Sequence, residues 1–170
     1  HNQAVVHVKT PHDAMILELN KRLNKTYLAF GAKGSSSAQR QIAQDSNAHR
    51  KAKSGAHLQR VLSKSSKNYS NTSWDLVDAA NQKDFKIETV KKEALPKEMQ
   101  GMNLEQKKQH IAKMETERKA IQLEIKGLNK KRLAWIAEKQ KSEAKTNTLD
   151  SAVIRTVREQ AEKKGYSFGS

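Results

Sequence analysis

The stretch NTSWDLVDAA, residues 71–80, sets one of the chain's two tryptophans beside Asp75 and, three positions on, Asp78. Two carboxylates near an aromatic platform are what acid–base chemistry or ligand stacking would require. The same letters also spell a helix start. Thr72 or Ser73 would cap the free amides, Asp75 would sit in the first turn against the positive end of the dipole, and Ala80 would mark the end. Trp74, Leu76 and Val77 would then face neighbouring elements. The structural reading is the stronger one, because nothing in the flanking residues positions or tunes a catalytic carboxylate.

Other chemistry-bearing residues are scattered. The six histidines (His1, His7, His12, His49, His57 and His110) include no pair four apart within a helix, and none joins an acidic residue at metal-ligand spacing. GAKGSSS has glycines three apart and no following GK[ST], so it reads as a linker rather than a phosphate loop. No G-x-S-x-G elbow holds a serine. Asn24-Lys25-Thr26, Asn68-Tyr69-Ser70 and Asn71-Thr72-Ser73 match the glycosylation pattern but read as helix-end polar residues. With no cysteine, thiol catalysis and cysteine-based zinc sites are excluded. The sequence therefore predicts no enzyme, no cofactor and no metal.

The net charge of +15 favours anionic partners, but it is spread: residues 1–90 hold 14 basic and 7 acidic side chains, residues 91–170 hold 19 and 11. Lys130-Lys131-Arg132 beside Trp135 is the strongest local cluster and the best candidate contact for an anionic partner. Glu115, Glu117, Glu124 and Glu138 dilute the field around it, and no nucleic-acid-binding motif accompanies it. A stand-alone nucleic-acid-binding protein is thus the second reading, behind a protein–protein module. No apolar run approaches the ~18 residues of a membrane span, and no signal peptide is visible. A start at His1-Asn2, without an initiator Met, is expected of a processed chain or a fragment.

Hydrophobic residues are only 35% of the chain against 30% charged, with two prolines and seven glycines, which predicts thin helical layers. AVVHV (residues 4–8) reads as a short strand. Thr10-Pro11-His12-Asp13 opens a helix over 11–29, with Ile16, Leu19, Leu23 and Tyr27 on one face. Residues 36–67 suggest a long alanine-faced helix, in one piece or two, with Ala38 and Ile42 inward and Gly55 as its weak point. A short helix at 73–80 and punctuated turns around Leu95-Pro96 and Gly101 follow. Asn103 and Gln106 cap the longest run, 103–141. There Leu104, Ile111, Met114, Ile121, Ile125, Leu128 and Trp135 hold alternating a and d heptad positions, interrupted by Arg118 and Arg132. AKTNT reads as a break, and Thr148 as the cap of a last helix over 149–164.

Taken in order, TPHDAMILELNKRLNKTYLAFG, NTSWDLVDAA, ALPKEMQGMN, LNKKRLAWIAEKQ and LDSAVIRTVREQAEKKGY resemble the region following the von Willebrand factor type A domain in bacterial, often exported, proteins. The resemblance implies that residues 1–9 end the α/β domain and that 10–168 form a helical extension in a periplasmic or secreted protein. The D-x-S-x-S loop of that domain's adhesion site does not occur here, so no cation site carries over. The expected molecule is all-α: an elongated helical bundle or hairpin with a short N-terminal strand, working as a non-catalytic scaffold. Ile16, Leu19, Leu23, Trp74, Ile121, Ile125, Leu128 and Trp135 are the expected core, and Tyr27, Trp74, Asp75 and Trp135 the expected anchors.

Overall fold

A computed structural model describes residues 7–50 and 55–163. The chain is helical: α1 (Asp13–Asn24), α2 (Gly34–Arg50), α3 (Ala56–Lys64), α4 (Leu76–Ala80) and α5 (Leu104–Lys163). Three single 3-10 turns, Ile87–Thr89, Lys92–Ala94 and Lys97–Met99, carry the chain from α4 to α5. It divides into two compact units, His1–Arg132 and Leu133–Ser170, with α5 contributing to both.

The expected strand is not found among the described residues. Ala4, Val5 and Val6 lie outside the described residues, and His7 and Val8 are irregular. Among the described residues the one β-type pairing is an isolated antiparallel bridge between Ala29 and Asp75. Leu76 N–H donates to the Leu28 carbonyl (2.9 Å) and Phe30 N–H to that of Trp74 (2.8 Å) on either side of it.

Helix ends also differ from expectation, for local reasons. Thr10 is not the N-cap, which is His12: the Thr10 Oγ1 accepts from His12 N–H (3.3 Å), its hydroxyl donates to Asp13 Oδ1 (2.6 Å) and its N–H to Asp13 Oδ2 (3.1 Å), and α1 starts two residues late. Asp75, rather than Thr72 or Ser73, is the N-cap of α4, accepting from Asp78 N–H (3.2 Å). The expected 36–67 helix is two, and Gly55 (φ +70°) begins the second in a left-handed conformation that a side chain disfavours. A Cβ there would also lie 2.7 Å from the His7 ring. AKTNT is no break. The hydroxyls of Thr146 and Thr148 donate back to the carbonyls of Ser142 (3.0 Å) and Ala144 (2.8 Å), and α5 runs through them. The Asn103–Gln106 capping box does form, with reciprocal bonds of 2.9 Å.

The first unit has two apolar clusters. Ile16, Leu19 and Leu23 of α1, Leu58 and Val61 of α3, and Ile121 and Ile125 of α5 make one. Leu28, Leu76, Val77, Ile87, Leu95, Met99 and Ile111 make the other, beneath the 3-10 turns. Both rest on α5, one on its Ile111 turn and one on its Ile121–Ile125 turn. Of the expected core, Trp74 is buried and Leu128 partly so, but Trp135 is only half-buried, with Lys139 Nζ 5.2 Å over its ring. Nor does α2 face inward with alanine: Ile42 is 58% exposed, while Gly34, Ser37 and Gln41 are buried.

With so few apolar layers, each core side chain carries a large share of the stability. Ile125→Ala should lower unfolding free energy by about 2–5 kcal/mol. Urea denaturation followed by circular dichroism checks this, and a loss under about 1 kcal/mol would mean the seam is not packed as described.

Candidate functional site

Between the two apolar clusters, α5 presents a charged residue to the interior. Arg118 is 5% exposed and reaches two segments distant in sequence, the Thr26 turn and the start of α4. Its Nε donates to Thr26 Oγ1 (3.0 Å) and its Nη2 to the Thr26 carbonyl (2.7 Å). Its Nη1 donates to both Asp75 Oδ2 (2.7 Å) and Asp78 Oδ1 (2.9 Å). The guanidinium lies 4.2 Å from the centre of the Tyr27 ring, which in turn stacks on Trp74 (5.7 Å between ring centres).

Backbone donors hold the carboxylates from the other side. Asp75 is fully buried; its Oδ1 accepts from Leu28 N–H (2.7 Å) while Oδ2 takes Asp78 N–H as well as Arg118. Asp78 Oδ2 accepts from Asn71 N–H (2.6 Å). Burial disfavours the charged guanidinium, but the hydrogen bond and attraction of Asp75 outweigh it and raise the Arg118 pKa. Burial and the nearby Asp75 charge push Asp78 up, against the pull of Asn71 and Arg118. Burial pushes the Tyr27 phenol up as well. Each oxygen of the two carboxylates is thus engaged by at least one donor, an arrangement that clamps the Thr26 turn, α4 and α5 together.

A second polar cluster ties α1, α2 and α3 together. Lys64 is fully buried, and its three protons go to Asn20 Oδ1 (2.9 Å), Asn24 Oδ1 and Asp45 Oδ2 (2.8 Å). Arg60 Nε donates to Asp45 Oδ1 (2.7 Å). Burial alone would raise the Asp45 pKa, but the bonds from Lys64 and Asn24 more than reverse this and hold it below the ordinary range. Burial pulls Lys64 down despite Asp45. A third cluster joins Arg132 Nε to Asp13 Oδ1 (3.1 Å), with His7 Nε2 3.3 Å from Asp13 Oδ2. His57 packs edge-on to both His7 and His49, and burial together with these two neighbours pulls its pKa down. Among the described residues no group of three or more His, Asp or Glu side chains is placed to hold a metal.

Next to the Arg118 clamp lies an open groove of about 840 Å³. Its walls are the segment from Leu62 to Ser70, the Val77–Gln82 turn and the Glu115–Asn129 stretch of α5. Tyr69, Ser65, Ser66 and Gln122 contribute hydrogen-bonding groups; Leu62, Val77 and Leu123 are apolar; Lys67, Lys119 and Lys126 are basic. Leu123 is 72% exposed on its rim.

Tyr27, Trp74 and Asp75 are thus brought together, and Trp135 is not part of the cluster. The basic trio is split: Lys130 and Lys131 are exposed, while Arg132 is buried on Asp13. Sequence reasoning missed Arg118, Thr26, Asp78 as a clamp residue, and the whole Lys64–Asp45 network. One signal was present for the first: an arginine in an apolar seam demands a buried carboxylate, and Asp75 within WDLV is a carboxylate flanked by core residues. No protein-family model matches the chain, and no curated protein and no solved structure matches it.

Arg118→Met should cost about 3–5 kcal/mol by leaving Asp75 buried and uncompensated, and Arg118→Lys should recover little because a lysine cannot span Thr26 and both carboxylates. Thermal or urea unfolding measures both variants. The pH dependence has a defined sign. Asp45 sits below its ordinary pKa in the fold, so its contribution is complete above about pH 4 and disappears as pH falls through the depressed value. Asp78 is raised, so its contribution is complete below its unfolded pKa and is lost as pH rises through its folded value. The stability gap between the parent and Asp45→Asn should therefore narrow as pH falls from about 6 to 3; a constant gap would show that Asp45 is not an ionised partner of Lys64.

Proposed function

We propose that this chain is a non-catalytic helical interaction module, carried beside a von Willebrand factor type A domain and contacting protein partners in the bacterial envelope. The groove on the first unit is the observation that carries the reading. It is bounded by three segments, two of which, α5 and the Val77–Gln82 turn, are fixed to each other by the Arg118–Asp78 bond, and it mixes hydroxyl, amide and apolar groups. An extended polypeptide offers backbone amides and alternating side chains, and such a lining meets both. The engagement of Asp75 and Asp78 by Arg118 and by backbone N–H groups supports a non-catalytic role. The neighbouring type A domain and the envelope location rest on the resemblance of the ordered motifs alone.

Charge narrows the partner. Residues 1–132 hold 26 basic and 13 acidic side chains, and three lysines line the groove beside two carboxylates already engaged, Glu115 by Lys119 and Asp78 by Arg118, so an acidic segment gains in encounter rate and orientation. The same excess favours the second reading, nucleic-acid binding.

Fluorescence polarisation separates the two. The probes are a library of acidic and aliphatic peptides of roughly 12 residues, the length of an extended segment crossing such a groove, and short single-stranded and duplex DNA, each at low and high salt. A subset of peptides should bind, and Leu123→Glu or Lys126→Glu should weaken them about tenfold. DNA binding that collapses with salt, without peptide binding, would put nucleic acid in place of this reading. Binding of neither would remove the groove as a docking site. An upstream reading frame encoding D-x-S-x-S is the expected genetic context.

A further inference from the structure

The heptad frame of α5 continues past the first unit without a skip. Counting sevens from Leu104, Ile111, Arg118, Ile125 and Arg132 at a leads on to Lys139, Thr146, Val153 and Gln160. Counting from Met114, Ile121, Leu128 and Trp135 at d leads on to Ser142, Leu149, Thr156 and Lys163. In the first unit this frame is the packed seam, with Ile111, Arg118, Ile121, Ile125 and Arg132 all buried. In the second unit, past the half-buried Trp135, its apolar members have no cover: Leu149 is 65% exposed, Val153 53% and, at the adjoining e position, Val157 56%.

We infer that residues 142–160 pair in parallel, in register, with the same segment of a second copy of this chain. Three observations select this occupant. First, the two apolar core positions of the segment are Leu149 at d and Val153 at a, the pairing that favours two parallel strands, with Ser142, Thr146, Thr156 and Gln160 at the others. Second, the charges are nearly balanced, seven basic against five acidic over residues 133–170, so a polyanionic partner gains little here. Third, the flanks complement each other across a parallel dimer. Lys145 occupies g and Asp150 the e position five residues on, so each Lys145 meets the Asp150 of the other copy, twice by symmetry. Lys139, Lys141 and Arg155 already pair along their own helix with Glu143, Glu138 and Glu159, whereas Lys145 and Asp150 have no ion-pair partner among the described residues.

Backbone chemistry agrees. Thr146, Thr148, Ser151 and Thr156 turn their hydroxyls onto carbonyls four residues back, at 2.8–3.0 Å, so the threonines at the a and d positions of the stripe, Thr146 and Thr156, have their hydroxyl protons satisfied within the helix. Such residues are poor helix formers, and an isolated helix containing them gains from a partner strand.

The test uses the full 170-residue chain. Sedimentation equilibrium up to about 100 µM should show a reversible monomer–dimer equilibrium, abolished by Val153→Lys, while urea unfolding of the first unit is unchanged. Lys145→Glu should weaken the dimer about tenfold, and adding Asp150→Lys should restore it by reversing both charges. The chain has no cysteine, so single cysteines report the geometry. Leu149→Cys alone should oxidise to a disulfide-linked dimer. Cross-linking only in a mixture of Leu149→Cys with Val157→Cys would indicate an antiparallel pair and overturn the assignment. So would a monomer throughout the concentration range.

Discussion

Arg118 is where the first unit closes on itself. Its guanidinium binds the Thr26 turn after α1, the Asp75 cap of α4 and Asp78 one turn later, while its own helix carries the residues on which both apolar clusters rest. Asp75 has two further duties, holding Leu28 N–H and Asp78 N–H. One missing partner would therefore leave several buried polar groups unmatched at once, in a low-dielectric setting where that is costly. A fully matched network of this kind brings little net stability over an apolar core, but it admits few alternatives. Only one register of α5 places an arginine opposite both carboxylates. The thin hydrophobic layers supply the driving force, and the clamp selects the arrangement.

The same division of labour explains α2. A helix whose inward face is Gly34, Ser37, Gln41 and Asp45 cannot dock by burying apolar area. It docks through Lys64, whose three protons find three oxygens on α1 and α2, and through Tyr69 Oη, which donates to Gln41 Oε1 at 3.0 Å. A buried ammonium is tolerated only when every proton is matched, so the geometry of Asn20, Asn24 and Asp45 is as constraining as a packed leucine would be.

What was legible in the residues follows from this physics. Apolar periodicity located α1 and the first part of α5, because Ile16, Leu19, Leu23, Ile121 and Ile125 repeat at helical spacing and do form one cluster. The Asn103–Gln106 box was readable because both partners lie within four residues. The α2 face was not readable: its period is carried by small and polar side chains, which the same rule treats as solvent-facing. Arg118 and Arg132 looked like faults in a seam because their partners, Asp75 and Asp13, lie 43 and 119 residues away. The tryptophan–aspartate stretch was recognisable as a short helix with buried anchors, but its cap was misplaced by two or three residues, since Asp75 both caps α4 and meets Arg118. AKTNT read as a break because propensity scores its threonines alone and omits their bonds to the preceding turn.

One heptad frame thus serves two ends of α5 under different rules. Up to Arg132, its charged a positions each meet a specific carboxylate of the same chain, Asp75 and Asp78 for Arg118, and Asp13 for Arg132. A frame fixed by such pairs cannot slide, because a shift of one residue would bury two arginines without partners. Past Arg132 the a residues are Lys139, Thr146, Val153 and Gln160, and only one is apolar. Polar a residues lower the affinity of helix pairing while preserving its register. The frame therefore gives a locked intramolecular seam first, and then a weaker surface whose occupancy depends on concentration.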